Sequence, residues 1–547
     1  MGYLPPTLTH LRRALSTTNP TETQFGNLKM SRILNAPQWA AAVCAICLSF
    51  ALPISAGQKY LPPDEEAADQ ASDDDAMTKL LERLDRQDAD LRALRRQLGT
   101  IQVQHVESVG DDIPANEVST TDDGSQWQIA SLSQRLDELT KKVTGKNPPY
   151  IEMHAVSQMD SSFWGQDAKS IKTLGTLDNG SDFRRSRLAA NGALTDNMNY
   201  FFQMDFSFPG RPTFTDVWME LTKLPIIGNV RAGQWKMPFS LEVVSSFRYT
   251  TFAERSVLFQ SFAPFRHIGV GFYNYSEDEM LTWAFSSYRA GQDQFGDALT
   301  YGNTGNYAVV GRLTGLAYYE NEGASYLHLG AGYNWVAPQS LAGTNTPTAS
   351  FGTVPEYFVG QNTTVTTGTA GISQPTSSID GTPKFVNTKN FAVNHYNLVG
   401  GELLWVEGPL SVQSEFNLLE ATRPTGVGAT FGGFYTTFGY FLTGEHRPYI
   451  KKSGAIDRIK VLHNFIKGKD DDEWGLGAWE LAWRWSYIDL NSRDIQGGRL
   501  NDMTCGLNWY LNSYAKLQFN YIRSYLNNPT FGKSYADIVG LRAQFDY

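Results

Sequence analysis

The chain has 547 residues, 41% of them hydrophobic and 13% aromatic, with a formal net charge of −10. That charge is spread along the length and excludes a generic nucleic-acid binder. Beyond one N-terminal candidate, no uninterrupted apolar run reaches the ~20 residues that a membrane helix needs.

The N-terminal candidate runs from Trp39 to Leu52, after Arg32 and before Pro53-Ile54-Ser55-Ala56-Gly57. It reads as a secretory signal cleaved near Ala56, so residues 1–56 form an upstream extension and signal peptide, with Met1 or Met30 as the start. An uncleaved anchor is the alternative. Cys44 and Cys47 fall inside this signal, so Cys505 is left without a partner for an intrachain disulfide. Residues 57–76 are an acidic linker, with Asp64, Glu65, Glu66, Asp69 and Asp73 to Asp75, and lack the apolar content to build a core.

Met77, Leu80, Leu84, Gln87, Leu91, Leu94, Leu98 and Ile101 then repeat in steps of three and four, which predicts a coiled coil over residues 77–104. After a polar linker at 105–126, Ile129, Leu132, Leu136, Leu139 and Val143 predict a second, shorter one over 127–146. Parallel coils bring identical chains together, so both imply a homo-oligomer. A single amphipathic helix lying on another surface is the alternative.

From Tyr150 the period changes to two. Trp479, Leu481, Trp483, Trp485 and Tyr487 oppose Glu480, Ala482, Arg484 and Ser486, and Tyr200, Phe202, Met204 and Phe206 oppose Phe201, Gln203, Asp205 and Ser207. Such a row of aromatics is foreign to a soluble surface and suits lipid. About sixteen segments of this kind are centred near 153, 187, 203, 218, 232, 270, 284, 311, 330, 401, 415, 437, 482, 506, 519 and 542. The last, Leu541 to Tyr547, alternates to a terminal aromatic. The expected fold is all-β, a transmembrane antiparallel β-barrel of about 16 strands over residues 148–547, preceded by the N-terminal helical coiled-coil segment. Cys505 shares a parity with Met503, Leu507 and Trp509 and is expected on the lipid face.

Connections should alternate between long outside loops and short periplasmic turns. The periplasmic set includes 194–199, 224–229, 276–279, 320–324, 407–410 and 511–514; the outside loop from Ala337 to Asn394 is very long. One connection breaks the rule. Gly444 to Glu473 is long but falls on the periplasmic side, and it carries Arg447, Lys451, Lys452, Arg458, Lys460, His463, Lys467 and Lys469. It is expected either to fold into the lumen mouth and set a positive potential there, or to be a solvated basic loop.

Phe183-Arg184-Arg185, Gly233-Gln234-Trp235-Lys236-Met237-Pro238-Phe239-Ser240-Leu241-Glu242, Ser245-Ser246 and Ala253-Glu254-Arg255 occur in that order. They are followed by Leu442-Thr443-Gly444-Glu445-His446-Arg447-Pro448-Tyr449, Gly477-Ala478-Trp479-Glu480-Leu481 and Leu507-Asn508-Trp509-Tyr510. As a set, over roughly residues 150–547, this pattern resembles the phosphate-selective porin O and P family. The resemblance implies a trimeric sixteen-stranded outer-membrane porin, often with a coiled coil before the barrel. It implies that Met237 to Phe265 is a constriction loop folding inward from the fifth strand, and that arginines and lysines lining the pore bind anions. Arg184 and Arg185 match the family's arginine pair, Arg248 stands where family members carry a pore lysine, and Arg312 matches another lining arginine. The further lysines of phosphate-selective members near the eleventh and twelfth strands are missing, since Phe416 to Gly433 holds only Arg423.

Arginine suits oxyanions because its planar fork donates two parallel hydrogen bonds. Arg185 and Arg187 share the polar parity of Asn191 and should face the lumen, as should Arg484 and Arg542; Arg255 lies in the inferred constriction loop. Arg184 has the opposite parity and reaches the lumen only at the rim or through a local bulge. Asp205, Asp216, Glu220 and Glu480 share the lumen as candidate wall partners, and Tyr249 and Phe252 in the constriction loop keep a sugar pore open.

Eight histidines show no metal-binding spacing, and neither Gly-x-Ser-x-Gly nor a P-loop is present, so no enzyme, metal or cofactor is expected. The expected function is passive diffusion of small hydrophilic solutes, favouring anions such as phosphate through an arginine-lined constriction. The alternatives are a general or carbohydrate pore, or a structural outer-membrane tether. The expected partners are the outer-membrane bilayer, two further copies in a homotrimer, and small anions or other small solutes, with no nucleic acid.

Overall fold

The computed structural model describes residues 147–547 except 208–211, 226, 291–305, 339, 341–345, 358–381 and 466–473. The expected signal peptide, acidic linker and coiled-coil segments therefore lie outside the described residues. Among these, sixteen antiparallel strands close a barrel. We number them β1 (Tyr150–Gln166), β2 (Gly180–Thr195), β3 (Met198–Asp205), β4 (Thr213–Leu224), β5 (Gly228–Lys236), β6 (Arg266–Tyr275), β7 (Leu281–Arg289) and β8 (Tyr307–Glu320). The remainder are β9 (Ser325–Val336), β10 (His395–Glu407), β11 (Leu410–Thr422), β12 (Ala429–Phe441), β13 (Ala478–Ser492), β14 (Ile495–Asn512), β15 (Ala515–Asn528) and β16 (Gly532–Asp546). Each expected centre falls inside one of them.

β16 closes the barrel onto β1, with Val156 opposite Asp546 and Gln166 opposite Ala536. Closure leaves no edge strand, which a sheet in lipid requires because unpaired backbone there finds no water. Burial is inverted relative to a soluble sandwich. In β13 Leu481 is 48% exposed and Trp485 37%, whereas Glu480 and Arg484 are buried inside. Cys505 is a free thiol on the outer face.

Three connections fill the interior. The first, Met237 to Phe265, is called the inner loop below. It leaves β5 and returns to β6, and it carries α1 (Leu241–Val244), a 3-10 turn (Phe247–Tyr249) and α2 (Val257–Phe262). Ser240 and Ser246 start the first two pieces, their hydroxyls accepting from the backbone N–H groups of Val243 and Arg248. Leu258 and Phe262 of α2 join one apolar cluster with Phe351, Phe385 and Phe391.

Those last three residues belong to the second connection, between β9 and β10. There Thr348–Ala349 pairs with Phe391–Ala392 and Gly352–Thr353 with Val386–Asn387. The third is the basic connection after β12, which folds inward at the short-turn end as a ribbon, Tyr449–Ile450 against Ala455–Ile456. Its tip needs glycine. Gly454 has φ +57°, and a Cβ there would lie 2.7 Å from the Thr314 hydroxyl and 3.2 Å from the Arg312 guanidinium.

Candidate functional site: the barrel interior

The inner loop is fastened to one side of the barrel by buried charge. The Glu254 carboxylate receives Arg184 at 2.8 Å, Arg185 at 3.4 Å and Arg542 at 2.7 Å. Arg542 also pairs with Asp160 at 2.6 Å and donates to the Ala253 carbonyl. Arg184 joins this cluster through a bulge. Gln158 faces Arg185 while Met159 faces Phe183, which leaves Arg184 as the extra residue. That is the local bulge its parity demanded. Burial pushes the Glu254 carboxyl up, but the three guanidiniums outweigh this and hold it well below the usual carboxylate range.

Arg484 bonds Glu356 of the second connection at 2.7 Å, donates to the Glu254 carbonyl at 3.1 Å and covers the Phe252 ring. Arg255 turns back into its own loop, donating to the Glu242 carbonyl at 2.7 Å and the Ser245 carbonyl at 2.9 Å. Burial pulls its guanidinium down to about 10, against the attraction of the Glu242 carboxylate. The loop therefore lies against the wall formed by β10 to β16 with β1 and β2.

Between the loop and the opposite wall, β3 to β8, lies a cavity of about 410 Å³, although Tyr288, Val310 and Leu316 of β7 and β8 join the loop's apolar clusters. Six basic side chains line it: Arg231, Lys236, Arg248, Arg266, Arg312 and Lys452; Asp216 is the acidic one among the described lining residues. Small residues on β6 and β7 (Gly271, Ala284 and Ser286) make the room. Most of the cations have a carboxylate beside them. Arg266 pairs with Asp216 at 2.7 Å, Arg231 with Glu220 at 2.6 Å, Arg312 with Glu402 at 2.7 Å, and Lys452 with Glu279 at 3.2 Å. Two are more open. Lys236 donates to the backbone carbonyls of Ser245 and Val244 at 2.8 and 3.4 Å. Arg248 lies 3.8 Å from Asp546, and its buried Nε has no hydrogen-bond partner.

Of the arginines singled out from the sequence, Arg248 and Arg312 line this cavity. Arg184, Arg185, Arg542, Arg484 and Arg255 hold the inner loop, and Arg187 pairs with Asp205 at 2.7 Å under the Phe247 ring. Asp216, Glu220 and Glu480 take the expected role of wall partners. Sequence reasoning passed over Arg231, Lys236 and Arg266. Arg231 was legible, lying between the outward Val230 and Ala232. The other two flank the inner loop, where strand alternation no longer governs direction. The parity of Ile268 and Val270, both lipid-facing, would have sent Arg266 outward, yet it is 2% exposed.

Tyr249 and Phe252 do not line the large cavity. Phe252 lies under Arg484, and Tyr249 lies under Arg458 at 5.2 Å. The basic connection enters the barrel with much of its charge spent. Arg447 bonds Glu480, Arg458 bonds Asp546, and Arg312 donates to the carbonyls of Ser453 and Gly454. Lys467 and Lys469 lie outside the described residues.

Residues 157–547 match the family model described as phosphate-selective porin O and P. An uncharacterized protein of Caulobacter vibrioides is 24% identical over 62% of this chain and 62% of its own length. Porin O of Pseudomonas aeruginosa is 26% identical over 27% of this chain and 34% of its own. The chain thus spans less than two thirds of either relative. Among solved structures, an anion-selective porin from Comamonas acidovorans superposes with a TM-score of 0.45 at 11% identity, covering 72% of this chain and 99% of that one. The outer-membrane channel DcaP of Acinetobacter baumannii gives 0.41 at 10% identity, over 73% and 97%.

Proposed function

The chain belongs to the phosphate-selective porin O and P family, and from that premise we propose that this outer-membrane barrel passes small anions, phosphate among them, between its inner loop and the β3–β8 wall. As a porin it is a transport protein and not an enzyme. The observation that carries the preference is the lining of the open cavity, six basic side chains against one acidic. A pore must attract an ion enough to replace part of its water and release it again. Carboxylates occupy the forks of Arg231, Arg266 and Arg312 and weaken their hold on a solute, which leaves Lys236 and Arg248 as the cations with no close carboxylate to meet an oxyanion. The arginine cluster at Glu254 serves a different end: it positions the loop that narrows the lumen.

The test is the reversal potential of the purified protein in a planar bilayer under a KCl gradient, followed by phosphate titration. Anion preference with current block by phosphate is the expected result. Cation preference sinks the reading, and anion preference without phosphate block leaves a general anion pore.

A homotrimer is part of the same proposal. The wall is low across β3, β5, β6 and β7, at 8, 9, 10 and 9 residues, whereas β14 has 18. A tilted strand needs ~9–11 residues to cross a bilayer. Three of these strands just reach that span and only β3 falls below it, so this side offers lipid the least outer surface and is the side we assign to contact with a second copy. Cross-linking in detergent should give a three-chain species that dissociates on heating; a single-chain mass would refute it.

A further inference from the structure

We infer that the low wall of the cavity carries a subsite for aromatic carboxylates, anions with a flat apolar body. This deepens the anion-pore reading and rests on it. Four planar side chains on four successive strands line the cavity: Phe201 on β3, Trp218 on β4, Arg231 on β5 and Tyr273 on β6. Phe201 and Trp218 stack with centroids 5.6 Å apart and planes within 12°. The Arg231 guanidinium lies 3.8 Å over Trp218 and 5.1 Å from the Tyr273 ring, and donates to the Tyr273 hydroxyl at 3.2 Å.

Glu220 locks this ladder. It pairs with Arg231 and accepts from the Tyr273 hydroxyl. Phe201, Trp218 and Tyr273 are half-buried, so part of each faces the cavity. A wall serving phosphate alone gains nothing from three rings, because a small hydrated oxyanion has no apolar surface to lay against them. A benzoate-like solute does. Its ring meets the positive edges of Trp218 and Phe201 where these face the cavity. Its carboxylate meets Lys236 and Arg248, which line the same cavity and are less tied to carboxylates. The Phe201–Trp218 contact alone is ordinary packing, but these rings border the same cavity as Lys236 and Arg248, which sets an apolar surface beside the two cations with no close carboxylate.

The experiment is single-channel recording with benzoate, acetate and phosphate added in turn. Benzoate and acetate carry the same charge, so the ratio of their half-blocking concentrations isolates the ring. Benzoate should block at about tenfold lower concentration than acetate, the size of one aromatic contact. Trp218→Leu, and separately Phe201→Leu, should bring that ratio to about twofold or less, with phosphate block and the reversal potential unchanged. Equal block by benzoate and acetate in the parent protein overturns the subsite, and so does a ratio that survives both substitutions. The anion-pore reading fails separately: a cation-selective reversal potential sinks both proposals, whereas anion selectivity without a benzoate advantage sinks only this one.

Discussion

The two halves of this barrel use the same residue type in opposite ways. Around β10 to β16 and on to β2, arginines meet carboxylates of the inner loop and its neighbours face to face: Arg184, Arg185 and Arg542 at Glu254, and Arg484 at Glu356. Along β3 to β8 the loop leaves open space, and Arg231 borders it, as do Arg248 and Lys452 across from it, each partly exposed, whereas Arg266 and Arg312 are as enclosed in their pairs as the fasteners are. Enclosure decides the role. A guanidinium sealed against a carboxylate in low dielectric is a fastener, because separating the pair leaves an uncompensated buried charge. One bordering water interacts weakly with any single ion, which suits a pore.

The comparison breaks first at Glu254. Glu254→Gln keeps the shape and removes the charge, so three guanidiniums face a neutral amide. Removing one partner of a buried pair costs about 3–5 kcal/mol. The inner loop should loosen, seen as lower resistance to heat or urea and as larger, noisier single-channel currents. Parent-like stability and quiet currents would refute the fastener account. The next largest effect lies across the cavity. Arg248→Met removes a cation whose nearest carboxylate is 3.8 Å away. One charge in a water-filled channel is worth about 1 kcal/mol or less, so the anion-to-cation permeability ratio should fall about threefold with stability unchanged. If instead stability falls and selectivity stays, the two sides are not distinct.

Mild acidification should leave the Glu254 contact alone. The Glu254 carboxyl is depressed in the folded protein by its three arginines. Its stabilising contribution is therefore complete above the unfolded value of about 4.3, and is lost only as pH falls through the lower folded value. The stability lost in Glu254→Gln should therefore be the same at pH 7 and at about pH 5, independently of Glu242, whose carboxyl burial raises. A loss that shrinks towards pH 5 would show that Glu254 is not held as described.

How much of this was legible follows from which forces act locally. Strands such as Ala478–Ser492 were readable because lipid and lumen alternate along every one of them, and all sixteen expected centres fall on strands. Arg184 was readable as an exception, since only a bulge brings it inward, and the shift at Gln158 and Met159 supplies one. The bounds of the inner loop came from the family resemblance and not from periodicity. The partners were not legible. Arg484 meets Glu356 across 128 positions and Arg312 meets Glu402 across 90, and no local rule joins residues so far apart. The inward fold of the second connection did leave a signal: Phe351, Phe385 and Phe391, with Val354, Val386 and Val393, recur in a loop otherwise rich in Thr, Gly, Ser and Asn.

The smallest expected effect separates a cavity cation from a fastener most cleanly. Lys452 lines the open cavity from the tip of the basic connection and pairs with Glu279 at 3.2 Å, with both side chains well exposed. Such a pair contributes little to stability because water and salt screen it and both side chains lose freedom in forming it. Lys452→Ala should therefore leave heat and urea resistance where they were. Its charge still faces the solute path, so anion preference should fall slightly, by less than for Arg248→Met, and the difference should vanish at about 1 M salt, where the Debye length is ~3 Å. A loss of stability instead would mean that the ribbon depends on Lys452, whereas Arg312 donating to the Ser453 and Gly454 carbonyls already holds its tip.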